Sequence, residues 1–216
     1  MSNDFYDLGK KSTSSSNLSG GKLLESIQDC INETYNLSGI DNIGHREWLL
    51  NPTITKIGFG TASNYSAQKL PFGEFTADIE APDYLAWPSE GAFPNKFIDK
   101  SALWSINLNR DVYHFNSIDD ISIKITRLCD ARQWNLQKVN NFSRSISEFR
   151  LSANDNHGCG SSTLIFHIAY DDLNAEKYLG KYKVEISGLK NVNDDKENIE
   201  YTINFFELDS AILNNN

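Results

Sequence analysis

The residues whose types could do chemistry lie in the first quarter of the chain. His45 begins the stretch HREWLL, while Glu33 and Ser16 precede it. A serine, a histidine and a carboxylate can act as the nucleophile, general base and orienting group of a hydrolase. Serines are abundant here, however, since five of the residues from 12 to 19 are serine, and the chain has no G-x-S-x-G nucleophile elbow. The structural alternative is that Ser16 and Asn17 satisfy backbone groups in a loop before a helix.

A metal site is the second chemistry that these residues suggest. Stable zinc sites use three or four nitrogen, sulfur or oxygen ligands, and His45 with Glu33 supplies only two. The other histidines, His114, His157 and His167, are dispersed over the second half of the chain, and none is four residues from another histidine. The pair therefore predicts a weak divalent-metal site at most and no firmly bound cofactor. A bond to Glu33 could equally make His45 a structural residue or one wall of a polar ligand cleft.

Composition argues against two classes of protein. The chain has 216 residues and a formal net charge of −9, with no cluster of Lys and Arg, which argues against nucleic-acid binding. No segment approaches the run of about 18 apolar residues that a membrane span needs. The polar N-terminus MSNDFYDLGKKSTSSSN lacks the apolar core of a signal peptide, which predicts either an intracellular protein or a native start further upstream. The acidic charge predicts a soluble monomer or small oligomer.

The three cysteines are Cys30, Cys129 and Cys159, which are too few and too dispersed for a disulfide scaffold. The chain also lacks a CxxC motif. A single bridge between Cys129 and Cys159 and three unpaired thiols are both compatible with this usage.

Two helices are expected to position the candidate residues. Residues 21–34 place their apolar side chains on one helical stripe, which predicts a helix that carries Glu33 in its last turn. Residues 45–50 predict a short helix that begins at His45 and ends before Pro52.

The flanking segments give weaker signals. Residues 1–20 are rich in Ser, Gly and Asn and predict a loop. Residues 53–63 (TITKIGFGTAS) alternate as a strand does. Residues 69–100 contain four of the five prolines, with aromatic residues between them, and predict an ordered but irregular segment.

The remainder of the chain has the pattern of an all-β domain. Short alternating segments follow one another with Asn-, Asp- and Gly-rich turns and without helices between them, which favours an antiparallel, Ig-like β-sandwich over an alternating α/β sheet. The fold class is therefore α+β, with an α+β region at 1–105 and a β-sandwich at 106–216. The expected strands are LWSINL, DISIKITRL, QWNLQKV, STLIFHIAY, GKYKVEISGL and IEYTINFFEL.

Several short motifs in the first 105 residues resemble the bacterial, SCP-like branch of the CAP superfamily. This superfamily includes the cysteine-rich secretory, antigen 5 and pathogenesis-related proteins. The motifs occur in the family's order, whereas the motifs of the β-rich remainder are much less specific. They are Ser16-Asn17-Leu18, Glu33, Gly44-His45-Arg46, Asn51-Pro52, Gly58-Phe59-Gly60 and the segment from Trp87 to Pro94.

The resemblance also implies an incomplete site. Family members with a complete site have two histidines and two acidic residues in a central cleft, and in some members this tetrad binds a divalent metal. The resemblance places the second histidine at His45 and the second acid at Glu33, but Ser16 occupies the position of the first acid. No histidine precedes His45. The implied fold is a CAP-like α-β-α region that lacks its N-terminal helix, followed by the sandwich.

The leading functional hypothesis is a binding or interaction module without enzymatic activity, which the resemblance implies to be bacterial and secreted or attached to the cell envelope. Its expected partner is a small ligand, a protein or a cell-envelope component. The alternative is a hydrolase, either a peptidase or a cell-wall hydrolase, with His45, Glu33 and Ser16 as catalytic residues. The expected ligand-binding residues are His45, Glu33, Asn17, Ser16 and Arg46.

Overall fold

The computed structural model describes residues 2–14, 16–20, 23–32, 43–54, 56–70, 80–143, 145–152 and 161–208. The chain divides into two compact units, Met1–Pro82 and Asp83–Asn216. This division lies earlier than the predicted boundary near residue 105, because two strands between residues 84 and 94 pair with strands of the second unit. Within the described ranges, no helix is long and apolar enough to cross a membrane.

In its described residues, the first unit has three helices and one three-stranded antiparallel sheet. Its strands are ordered β1-β3-β2, so β3 is the central strand. In chain order the elements are α1 (Asn3–Thr13), β1 (Ser16–Gly20), α2 (Leu23–Asn32), α3 (Gly44–Leu49), β2 (Gly58–Ala62) and β3 (Tyr65–Lys69).

The prediction of a loop over residues 1–20 is wrong, because this segment forms α1 and β1. The helix begins with a capping bond in which the Phe5 amide donates to Ser2 Oγ at 3.3 Å. Asp4 in the first turn and Lys10 and Lys11 in the last turn have the charges that the helix dipole favours at each end. The Ser2 cap and the charge pattern were missed in the sequence because the Ser-rich composition of this segment is typical of a loop.

The two helices predicted around the candidate site are present as α2 and α3. The strand predicted over 53–63 is shorter and begins only at Gly58. The reason is a turn after α3, in which Asn51 Oδ1 accepts the Thr53 amide at 3.0 Å and the Ile54 amide donates to the Asn51 carbonyl.

The part of the second unit that the structure describes forms two five-stranded sheets and two short 3₁₀ helices, Asn95–Phe97 and Ile118–Asp120. The sheet orders are β4-β6-β11-β10-β9 and β5-β13-β12-β7-β8, and all pairs are antiparallel except β5–β13 and β9–β10. The strands are β4 (Tyr84–Trp87), β5 (Gly91–Pro94), β6 (Trp104–Asn109), β7 (Ser122–Arg127), β8 (Arg132–Asn135), β9 (Gln137–Lys138), β10 (Glu148–Leu151), β11 (Ser161–His167), β12 (Gly180–Lys190) and β13 (Lys196–Phe206).

The β-rich character of this unit is confirmed, and each of the six predicted segments contains a strand. The interpretation of residues 69–100 as irregular missed β4 and β5, each four residues long. Both are edge strands, and each is held in an extended conformation by pairing with one neighbour, β6 for β4 and β13 for β5. Such short, Pro-rich segments carry little alternation of their own.

The two sheets of the second unit enclose an aromatic core. Trp104 of β6 is fully buried, and its ring lies 6.4 Å from that of Tyr182 on β12 and 5.8 Å from that of Phe205 on β13. Tyr178 packs against the same indole at 5.3 Å, and its hydroxyl donates to the Lys100 carbonyl at 3.3 Å. Burial raises the pKa of the Tyr178 phenol, as expected for a group whose charged form is poorly solvated.

Candidate functional site

A chain of buried polar side chains links the sheet of the first unit to two of its helices. Asn17 of β1 lies opposite Gln68 of β3, and Asn17 Nδ2 is 3.5 Å from Gln68 Oε1. Gln68 Nε2 donates in turn to Ser26 Oγ of α2 at 3.0 Å. All three residues are buried, so breaking any of these bonds would leave a polar group without solvent compensation. The chain therefore fixes α2 against the face of the sheet that carries Asn17.

His45 is positioned by the same network. It is the second residue of α3, directly after Ile43 and Gly44, and Ile43 is fully buried. The His45 carbonyl accepts a hydrogen bond from Asn17 Nδ2 at 3.3 Å. His45 as a residue is half-buried. Asn17 thus positions His45 by binding its backbone carbonyl, and this bond does not involve the imidazole ring.

Arg46 stabilises the end of α2. Its side chain is fully buried, and its guanidinium donates from Nε to the Ile31 carbonyl and from Nη2 to the Asn32 carbonyl at 3.4 Å. The last carbonyls of a helix lack intrahelical partners and carry partial negative charge, so a buried cation is well placed there. These contacts assign Arg46 a structural role between α2 and α3.

Replacing Arg46 with lysine is expected to destabilise the first unit by about 2 kcal/mol, because an ammonium group cannot reproduce the two-pronged donation to Ile31 and Asn32. Hydrogen–deuterium exchange measured on peptides from α2 and α3 would report the loss as faster exchange. The matched control is Arg110→Lys, on an exposed residue of the second unit whose Nε donates to Ser162 Oγ at 3.0 Å, and it should leave exchange of the α2 and α3 peptides unchanged. Equal protection in the Arg46→Lys variant and the unmodified chain would contradict the assigned role.

Ser16, the candidate nucleophile, is the first residue of β1. Its hydroxyl donates to the Ser12 carbonyl at 2.7 Å, close to the end of α1. A serine acting as a nucleophile instead donates its proton to a base. In this structure Ser16 thus satisfies a backbone group, as the structural alternative expected, although it lies in a strand and not in a loop.

Several predicted residues fall outside the described part of the chain. Glu33, the expected partner of His45, is one of them, and the pairing of these two side chains therefore stays a prediction. His157 is another. Cys129 is an exposed free thiol whose Sγ lies 3.9 Å from Asp130 Oδ1, whereas Cys159, the other end of the predicted bridge, is not among the described residues.

The two described histidines of the second unit have local partners of their own. His114 Nε2 lies 3.2 Å from Asp194 Oδ1 at the surface. His167 is buried, and its Nε2 lies 3.3 Å from Oε1 of the fully buried Glu148, directly across the β10–β11 pair. Ser143 also donates from its amide to the same oxygen at 2.6 Å, so this group anchors the segment before β10.

Sequence reasoning missed Gln68 and Ser26. In β3 the buried positions are Ser66 and Gln68, so polar residues occupy the inward face and the hydrophobic alternation that reveals a buried face is absent. Ser26 offered a signal, since it lies four residues before the buried Cys30 and therefore on the apolar side of α2.

Within the described ranges, no three His, Cys, Asp or Glu side chains converge in a way that could hold a metal ion. Glu33 lies outside these ranges, so the weak metal site at His45 is still a prediction. No protein-family model matches the chain. A search of curated protein sequences likewise found no match.

Proposed function

We propose that this chain is a non-enzymatic binding or interaction module that acts outside the cell or at the cell envelope, with its ligand held at the accessible side of His45. The observation that carries the proposal is the division of roles among the candidate residues. Asn17 and Arg46 donate to backbone carbonyls of the unit's own helices, and Ser16 donates to the carbonyl of Ser12. These three side chains are engaged with the backbone of the unit, which leaves the half-buried His45 as the candidate ligand contact.

The arrangement of the first unit supports a CAP-like assignment. Helices α1 and α2, which precede and follow the first strand in the sequence, both contact its antiparallel sheet, and this is compatible with an α-β-α region. His45 lies at the start of α3, where the resemblance places the second histidine of the tetrad. The proposed location outside the cell or at its envelope rests on this resemblance. Fractionation of the native cells would test it.

The sheet orders of the second unit support an Ig-like assignment. The order β4-β6-β11-β10 corresponds to strands A-B-E-D, and β13-β12-β7-β8 corresponds to G-F-C-C′. Where antibody domains join strands B and F by a disulfide, β6 and β12 contribute the packed rings of Trp104 and Tyr182. Ig-like sandwiches serve many functions, so this assignment supports an interaction role by analogy only.

The proposal predicts that His45→Ala weakens ligand binding about tenfold or more without unfolding the first unit, because the variant removes one directional polar contact. Isothermal titration of the full chain with Zn²⁺ and, separately, with soluble peptidoglycan fragments is the measurement. Circular dichroism spectra of the variant should match those of the unmodified chain, because the bond to residue 45 uses the backbone carbonyl and survives the substitution.

The matched control is His114→Ala, which removes a surface histidine of the second unit and should leave both titrations unchanged. An unmodified chain that binds neither probe would refute the proposal. So would hydrolysis of peptides or glycans that is lost in His45→Ala, and that result would establish the hydrolase alternative in its place.

A further inference from the structure

Helix α1 has an apolar face that nothing in the described chain covers. None of its 11 residues is buried, and Phe5, Tyr6 and Leu8 are 62%, 60% and 66% exposed. Phe5 and Leu8 belong to one stripe, together with Gly9 and Ser12, at the i, i+3, i+4 and i+7 spacing of an amphipathic helix. A helix that folds without burying its own stripe is a candidate for contact with another molecule.

Exposed apolar side chains are concentrated in the same unit. Ten large hydrophobic side chains are exposed among the described residues, and six of them lie in the first unit, the smaller of the two. Besides the three on α1, these include Leu18 of β1 and Tyr65 of β3, and α1 contacts both strands. Exposed apolar side chains on elements that contact one another are a candidate contact surface for another molecule.

Gly9 is a second sign that a partner approaches α1. Glycine in a helix interior is unfavourable compared with alanine. A Cβ added at Gly9 would meet no atom within 4 Å, so packing against the described residues does not require a glycine there. Its position on the apolar stripe is explained if the backbone of another helix comes close at this point.

The charges of α1 are complementary to those of a second copy of the same helix. Asp4 and Asp7 lie near the start of the helix and Lys10 and Lys11 near its end, so the helix is neutral in a chain of net charge −9. Asp4 and Lys11 are seven residues apart, which places them on the same flank of the stripe. The same flanks of two facing helices meet when the helices are antiparallel, and Asp4 of each copy then lies beside Lys11 of the other.

We propose that two copies of this chain associate through antiparallel α1 helices, with Phe5 and Leu8 in the shared seam and Gly9 at the closest approach. The contact is isologous, since each copy offers the same patch to the other, and it closes as a two-fold dimer. An interface built mainly on one short helix is small, so the dimer is weak and forms at micromolar or higher concentration.

Sedimentation equilibrium of the full chain, from about 1 to about 300 µM, tests the proposal. The unmodified chain is expected to dimerise, and Leu8→Glu is expected to lower the association constant at least tenfold. Val192→Glu is the matched control, because Val192 is 67% exposed but lies in the second unit, and it should leave association unchanged. Gly9→Ala is the sharper variant, since it should raise the helix content by circular dichroism while it weakens the dimer.

Charge reversal tests the antiparallel geometry. Asp4→Lys alone and Lys11→Asp alone should each weaken the dimer, and the double variant should restore it, although its charges oppose the helix dipole. A chain that is monomeric over the whole range would overturn the proposal, as would a dimer unaffected by Leu8→Glu or by Gly9→Ala. Binding of a monomeric chain to phosphatidylcholine–phosphatidylglycerol vesicles that is lost in Leu8→Glu would also overturn it, and would assign the face to a membrane surface.

Discussion

Replacing Trp104 with alanine is expected to lower the free energy of unfolding of the second unit by about 4 kcal/mol, a large share of the stability of an ordinary domain. The indole is fully buried and joins the two sheets through Tyr182 and Phe205, while Phe166 and Tyr178 contact it at centroid distances of 6.0 and 5.3 Å. Alanine would remove the transfer free energy of the ring and leave a cavity that these neighbours fill only in part.

Urea denaturation of the full chain, followed by circular dichroism in the far and near ultraviolet, measures this loss. Exchange on peptides from β6 and β12 assigns it to the second unit. Trp104→Phe should cost less, since most of the aromatic volume remains, and Leu179→Ala, on a side chain 51% exposed, should change little. A loss below about 1 kcal/mol in Trp104→Ala would mean that this ring is not central to the core.

Gly188→Ala is expected to cost about 3 to 5 kcal/mol, although it adds a single methyl group. Gly188 has φ +90° at the point where the register of β12 shifts between Ile186 and Leu189. A Cβ there would lie 1.9 Å from the Asp120 carbonyl oxygen and 2.6 Å from its carbon. Because the obstacle is backbone, the strand or the short helix that ends at Asp120 would have to move.

Gly180→Ala separates the cost of a positive φ from the cost of the steric overlap with Asp120. Gly180 has φ +77° in the same strand, but an added Cβ meets nothing within 4 Å. Its substitution should therefore cost only the strain of a positive φ, about 1 to 2 kcal/mol. The difference between the two variants, measured by urea denaturation, gives the steric part. Equal costs would contradict the close approach of Gly188 to Asp120.

The sequence predicted the second unit better than the first, and the reason lies in the side chains. Strands such as β7 and β13 alternate buried Ile or aromatic residues with solvent-facing polar ones, so their periodicity is visible locally. In β3 the inward residues Ser66 and Gln68 are polar, and in α1 the apolar stripe is short and lies within a Ser-rich segment. Periodicity is uninformative where the buried face is polar or where the apolar face is not buried.

The candidate site was likewise predicted in part. The sequence identified His45, Asn17 and Arg46 as residues of one region, and the structure joins all three, because Asn17 binds the backbone of His45 and Arg46 follows in the same helix. It did not predict that Arg46 caps α2, nor which backbone carbonyl Ser16 binds, since both side chains donate to backbone groups. A backbone carbonyl is present at every residue and leaves no mark in the sequence.

The sequence by itself determined the helices α2 and α3, the end of α3 before Pro52 and the strand-rich second half, because helix propensity, proline geometry and side-chain alternation are local properties. Only the tertiary structure decided that β4 and β5 are strands, that Gln68 and Ser26 join Asn17, and that Phe5 and Leu8 stay exposed. Each of these depends on which distant residue supplies, or fails to supply, a hydrogen bond or an apolar surface.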